Sequence, residues 1–204
     1  MPSTTVLLAR HGQTDSNING FYMGWSNEGL NEAGLAQARE LAHRLSATHI
    51  DAIYTSPLKR AYTTATTVAE PHKLEVNVIN DLIEVKLGVW EGLHIDEIAR
   101  GWPELWREWR SDPTHVVIPQ GESFKQVYER AVRTLTSLAS ASVGKNILIV
   151  THEIIVKIAA IYALGAPTSI YRRFDVSNAS LPTVPVTDCK ARLIILNETS
   201  HLEM

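Results

Sequence analysis

Apolar positions follow two rhythms along the chain. Short unbroken apolar runs at Thr4 to Arg10, "AIYTS" at 52–56, "EVNVI" at 75–79 and "NILIVT" at 146–151 have the length and β-branched content of strands. Between them the apolar residues recur at helical spacing. Leu30, Gly34, Ala38, Leu41 and Leu45 mark one face of an amphipathic helix over 31–48, with Asn31 as its N-cap. Further helices are predicted over "LKRAYTTATTVAE" (58–70), "ESFKQVYERAVRTLTSLASA" (122–141, just after Gly121) and "EIIVKIAAIYAL" (153–164). Residues 95–112 read as helical on either side of Pro103, and the glycines and mixed polarity of "NDLIEVKLGVWEG" (80–92) read as a loop. Two closing strands are expected near 177–187 and 191–197. Strands alternating with helices, without an internal repeat, predict a single α/β domain over residues 1–204.

Composition narrows the setting. With 204 residues, 45% of them hydrophobic, the chain can bury roughly 70% of its unfolded surface without a staple. The one cysteine, Cys189, excludes an internal disulfide framework and a cysteine-rich zinc site, and it is expected as a small buried hydrophobe near a strand. No stretch approaches the ~20 apolar residues of a membrane span, and "MPSTTVLLARHG" lacks a basic flank before a long apolar core. A cytoplasmic protein without a membrane partner is the expectation. A net charge of −3 argues against nucleic acid as a partner, so an anionic ligand needs a local positive pocket.

Chemistry concentrates where the strands stop. His11 and His152 each follow an apolar strand, and in an open parallel sheet ligands gather beyond the strands' carboxyl ends. Arg10 offers a fixed fork of donors suited to phosphate, and Gly12 would let the backbone approach it closely. Arg60 opens the helix after the strand at 52–56. Two guanidiniums and two imidazoles around one spot describe a site for a dianion.

"ARHGQTDSN" at 9–17 resembles the signature of the histidine phosphatase superfamily, the phosphoglycerate mutase-like fold. "SPLKRAYTTA" (56–65) is similar to the family's second arginine segment, "LIEVKLGVWEG" (82–92) to its acid-bearing loop, "PQGES" (119–123) to its later glycine turn and "LIVTH" (148–152) to its second histidine. These segments occur in the family's order across nearly the whole chain. The resemblance implies a three-layer α/β/α sandwich with a mostly parallel central sheet, and a short helical lid-like insertion at about 93–120. It implies His11 as the phosphorylated nucleophile, Glu84 as proton donor, and phosphate contacts from Arg10, Asn17, Arg60 and His152, the last in its protonated form. Neither a metal nor another cofactor is then expected, because the cations take over charge stabilisation.

Several residues keep alternatives. Glu91 competes with Glu84 but suits a loop-supporting role, and Asn17 could serve only as a turn residue. His201 reads as a surface histidine, with an approach to the site from the tail as the alternative; Trp102, Trp106 and Trp109 read as core, with a substrate-lining lid as the second choice. Relatives often carry arginine where Phe21 stands and glycine where Glu153 stands, so Glu153 could repel phosphate or face an amine on the substrate. The insertion is short, mixed in charge and rich in tryptophan, which favours a phosphatase over a phosphoglycerate mutase. The expected activity is metal-independent hydrolysis of a small phosphorylated metabolite through a phosphohistidine. A mutase and a noncatalytic phosphate-binding scaffold are the alternatives, and homodimerisation stays open.

Overall fold

The computed structural model describes residues 3–187 and 190–202. Cys189, and with it the expected burial of its thiol, lies outside them. The chain runs β1 (Thr4–Arg10), α1 (Asp15–Asn19), β2 (Phe21–Tyr22), α2 (Glu32–Leu45), β3 (Ala52–Thr55), α3 (Lys59–His72), β4 (Val76–Val78), β5 (Leu93–His94), α4 (Ile95–Gly101), α5 (Pro103–Ser111), α6 (Phe124–Ala141), β6 (Asn146–Thr151), α7 (Glu153–Leu164), β7 (Thr183–Thr187) and β8 (Lys190–Ala191). Among the described residues six strands form one sheet in the order β4-β3-β6-β1-β7-β8. The first four are parallel, and β7 and β8 join antiparallel at one edge.

Both faces of the sheet are covered, which explains why its central strands are apolar at consecutive positions. Leu7, Ala9, Leu148 and Val150 pack against Leu41 and Leu45 of α2 and Ala61, Ala65 and Val68 of α3. The alternate residues Val6, Leu8, Ile147 and Ile149 meet Leu135 and Ala139 of α6 and Ala159 of α7. The result is an α/β/α sandwich. A third cluster gathers Trp90, Trp109, Ile118, Phe124, Ile155, Ile158 and Tyr171, with Trp102 and Trp106 partly buried against it. The tryptophans of residues 93–120 thus pack, as core residues do, against α6 and α7.

Four local features differ from the sequence pattern. Helix α1 is a single short turn made by a capping box, in which Thr14 Oγ1 accepts from the Asn17 N–H and Asn17 Oδ1 accepts from the Thr14 N–H. The loop at 80–92 contains two 3-10 turns, Asn80–Leu82 and Gly88–Trp90. The strand expected from 177 begins only at Thr183, because Ala179 turns back at φ 54° and donates its N–H to the carbonyls of Arg10 and His11. The strand expected at 191–197 shrinks to β8 and one isolated bridge, Thr183 to Ile195. Pro185 is the reason. The Arg192 N–H donates to its carbonyl, but proline has no N–H to return, and the ladder breaks there.

Candidate active site

Strand register brings the two histidines together. Arg10 of β1 lies opposite Thr151 of β6, so the next residues, His11 and His152, leave the sheet side by side. The His11 N–H donates to the Thr151 carbonyl at 2.9 Å, and the two rings meet edge to face with centroids 5.2 Å apart.

His11 is 3% exposed, and its Nδ1 lies 2.7 Å from the Gly12 carbonyl oxygen. A carbonyl only accepts, so Nδ1 carries the proton and Nε2 keeps its lone pair. Burial, and then the charges of Arg60 and Arg10, hold the ring's pKa well below the usual histidine range, against the opposing pull of the Gly12 bond. His11 is therefore a neutral imidazole with a free, oriented nitrogen.

His152 is fully buried, with Nε2 2.7 Å from Ser56 Oγ and Nδ1 unpartnered. Burial, followed by Arg60, His11 and Arg10, depresses its pKa strongly as well. The protonated His152 expected from the sequence is thus replaced by a neutral ring, because desolvation and two nearby guanidiniums both oppose a second cation. The ring stands against His11 and is not part of the cavity wall.

Arg10 is fixed by its Nη1, which donates to the Val176 carbonyl at 2.6 Å and lies 3.1 Å from Glu153 Oε2. One Nη1 hydrogen goes to that carbonyl, and the ion pair with Glu153 holds the same end of the guanidinium. Nε is buried without a partner, so Nε and Nη2 form the side-on fork left for an oxyanion. Arg60, in the first turn of α3, donates to the carbonyls of Ser26 and Gly24, both at 2.8 Å. Burial lowers its pKa, while Glu84 and Glu28 work the other way, and a guanidinium stays charged. Asn17 lines the cavity with Oδ1 taken by the Thr14 N–H and by Asn178 Nδ2 at 3.0 Å. Its amide hydrogens are the end suited to a ligand.

Glu84 follows the first 3-10 turn and reaches the same cavity. Its Oε1 accepts from the Val85 N–H at 2.9 Å, and the Ile154 N–H points at Oε2 from 3.5 Å. Burial raises its pKa, reinforced by Glu153 and countered by the two backbone N–H groups and Arg60. Arg130 of α6 braces this loop, donating to the carbonyls of Asp81, Ile83 and Glu84 and pairing with Glu122 at 2.8 Å. Glu91 serves the loop too, its Oε1 accepting from the Leu87 N–H at 3.1 Å.

The cavity encloses about 280 Å³, with Arg10, His11, Asn17, Arg60 and Glu84 at its polar end. Phe21, Tyr22, Val85, Leu87, Trp109 and Tyr171 make an apolar wall, crossed by Glu153 and Arg172. Trp109 is therefore both core and cavity wall, whereas Trp102 and Trp106 only pack. Gly12 has a steric constraint of its own: a Cβ there would stand 2.5 Å from the Gly34 carbonyl oxygen, so α2 sits directly on the signature loop. His201 is not a surface residue. It is 9% exposed, its Nε2 lies 3.1 Å from the Ala179 carbonyl, and it braces the turn behind Arg10 and His11 without lining the cavity.

Sequence reasoning missed Arg130, Lys157, Asn178 and Arg172. Lys157, 2% exposed, pairs with Glu153 Oε1 at 3.2 Å and lies 4.7 Å over the Tyr171 ring. Its signal was the i,i+4 spacing from Glu153 within one helix. The other three act through backbone carbonyls or contacts distant in sequence, which no local pattern reveals.

Comparison with known proteins adds the family. The model of the histidine phosphatase superfamily (branch 1) matches residues 6–199. Phosphoserine phosphatase 1 of Hydrogenobacter thermophilus is 34% identical over 197 residues, covering 97% of this chain and 93% of that protein. A bifunctional protein of Mycobacterium tuberculosis is 37% identical over 201 residues, but the chain spans only 55% of its length. Among solved structures, YhfR of Bacillus stearothermophilus superposes with a TM-score of 0.94 at 30% identity, covering 98% of this chain and all of that one (100%). A mycobacterial glucosyl-3-phosphoglycerate phosphatase does so at 0.88 and 27% identity, covering 97% and 100%. The chain belongs to branch 1 of the histidine phosphatase superfamily, and it is a phosphoric monoester hydrolase of that family.

Proposed function

We propose that the protein is a metal-independent phosphomonoesterase that hydrolyses a small phosphorylated metabolite through a phosphohistidine on His11. The observation that carries this reading is the His11 ring itself: neutral, pinned through Nδ1, and set between Arg10 and Arg60 in a cavity that also holds Glu84. His11 Nε2 attacks phosphorus, and the ester P–O bond breaks. Glu84, whose raised pKa favours its protonated form, gives its proton to the departing alkoxide. Arg10 and Arg60 neutralise the phosphoryl oxygens and the Asn17 amide donates to them, while His152, behind the cavity wall, supports the His11 ring edge to face. In the second half Glu84 takes a proton from water as the water attacks phosphorus. The P–N bond breaks, its electron pair returns to Nε2, and inorganic phosphate leaves. No step draws on another cofactor.

The ester is small in this reading. A volume of about 280 Å³ falls just below the roughly 300–1,000 Å³ of ordinary ligand pockets. That suits an ester nearer in size to phosphoserine than to the α-ribazole phosphate that other relatives are named for. The reading takes the matched residues as one phosphatase domain working in the cytoplasm, with residues 93–120 supplying the Trp109 wall. A wall of aromatic side chains leaves no basic cluster of the kind a mutase needs for a second phosphate, and favours water as acceptor.

Rapid-quench measurements on alkyl and aryl phosphates test the mechanism. The wild type should carry an acid-labile, alkali-stable phosphoryl group, and His11→Ala should carry none and turn over neither ester. Glu84→Gln should lose about 100-fold or more with the alkyl ester, yet still release a burst of phenol from an aryl ester with an acidic leaving group. Near wild-type turnover by His11→Ala, or equal losses for both esters in Glu84→Gln, would overturn these assignments.

A further inference from the structure

Besides the groups at the phosphate end the cavity lining carries two charges, Glu153 next to Arg10 and Arg172 next to Trp109, and they differ in what they leave free for a substrate. Glu153 is fully engaged: Oε2 holds Arg10 at 3.1 Å and Oε1 holds the buried Lys157 at 3.2 Å. Its charge is matched on both sides, so an ammonium group would come to it as a third cation on one carboxylate. Arg172 is the opposite case. It lies at the exposed mouth of the cavity, its guanidinium is 5.6 Å from the Tyr171 ring, and one Nη2 hydrogen reaches the Trp109 carbonyl at 2.8 Å. Those contacts hold its direction but spend only one of five N–H donors.

Among the described residues no carboxylate stands within ion-pair distance of Arg172. Asp112 is near enough to feel its charge, but that carboxylate is turned elsewhere: Oδ1 accepts from the Thr114 N–H and hydroxyl, and Oδ2 lies 3.6 Å from His115. A guanidinium with free donors, beside Trp109 and Tyr171, is a receptor for one planar anion.

We propose that Arg172 forms a leaving-group subsite for a carboxylate, so that the preferred substrates are phosphate esters of small hydroxy acids. This rests on the phosphatase reading and narrows its substrate class. A carboxylate matches the single, planar, singly charged guanidinium, whereas a second phosphate dianion would call for more than one cation there. The cavity volume limits the carbon skeleton between the two anions to a few atoms.

Matched esters that differ only in the carboxylate provide the test. Phosphoserine is compared with phosphoethanolamine, and 3-phosphoglycerate with glycerol 3-phosphate; p-nitrophenyl phosphate reports the chemistry alone. The wild type should favour the carboxylated member of each pair by about 10-fold in kcat/KM, the scale of one charge-assisted hydrogen-bonded contact. Arg172→Ala should erase that preference by lowering kcat/KM only for the carboxylated esters, mostly through KM, with p-nitrophenyl phosphate turnover within about twofold of wild type; Arg172→Lys should restore part of it. Equal rates within each pair, or a uniform loss across all five esters in Arg172→Ala, would overturn the subsite while hydrolysis of the aryl ester upholds the phosphatase reading. A preference for phosphoethanolamine would overturn it in favour of Glu153 as an ammonium receptor. No hydrolysis of the aryl ester by the wild type would overturn both readings together.

Discussion

At the scale of single residues the site is a set of committed and uncommitted hydrogen-bonding groups. Arg10 shows it most directly, because a hydrogen bond to the Val176 carbonyl and an ion pair with Glu153 hold Nη1 and leave the Nε edge unpartnered. The carboxylate that follows the second histidine, which from sequence alone could repel phosphate or bind an amine, instead steadies the guanidinium beside it. Glu153 also acts on Glu84 through space, its negative charge helping to raise that carboxyl's pKa. Glu153→Gln keeps an acceptor for Arg10 but removes the charge. Glu84 should then ionise more readily, and the alkaline limb of the kcat/KM profile on an alkyl phosphate should move to lower pH. An unmoved limb, or one displaced to higher pH, would show that the two carboxyl groups do not interact in the working enzyme.

At the scale of elements, what could be read from the sequence was whatever depends on neighbours along the chain. The Asn31 cap is real, its Oδ1 accepting from the Gly34 N–H at 2.8 Å, and the strands before His11 and His152 stand where the apolar runs placed them. Contacts between distant segments stayed hidden. Nothing local announces that Pro185 cuts the pairing of β7 with β8 short, or that Arg130 of α6 reaches back to the acid loop. That arginine ties together two elements separated by more than one layer of sequence, holding the carbonyls of Asp81, Ile83 and Glu84 while pairing with Glu122. Arg130→Leu leaves those carbonyls without their donor and the Glu122 carboxylate with only the Lys86 N–H, at a cost of about 1–3 kcal/mol. Chemical denaturation should register that loss. Because the loop positions Glu84, kcat should also fall further for an alkyl than for an aryl phosphate. A stable variant with unchanged leaving-group dependence would show that the loop holds its shape without the brace.

At the scale of the whole molecule, the fold assembles two histidines and two arginines where water cannot screen them, and that arrangement has a consequence for stability. His11 and His152 have folded pKa values well below the ordinary 6.5 of histidine, chiefly through burial and then through the arginines. About a pH unit above 6.5 both rings are neutral folded or unfolded, and neither contributes to pH dependence. As pH falls below that value the unfolded chain takes up protons that the folded state refuses, so stability drops by up to about 1.4 kcal/mol per pH unit for each ring. The loss continues until the depressed folded values are reached. Glu84 works in the opposite direction, because its raised pKa lets the folded state bind a proton before the unfolded chain does, so it offsets part of the loss at acid pH. Denaturation curves between pH 7.5 and 5.5, within the range over which histidine titrates, should therefore show a falling midpoint. His152→Gln, which keeps a polar side chain near Ser56 but cannot titrate, should remove about half of that slope, and adding His11→Gln should remove most of the rest. A midpoint independent of pH in the wild type, or a slope unchanged in the double variant, would mean that the two rings accept protons inside the fold and are not the neutral pair this geometry requires.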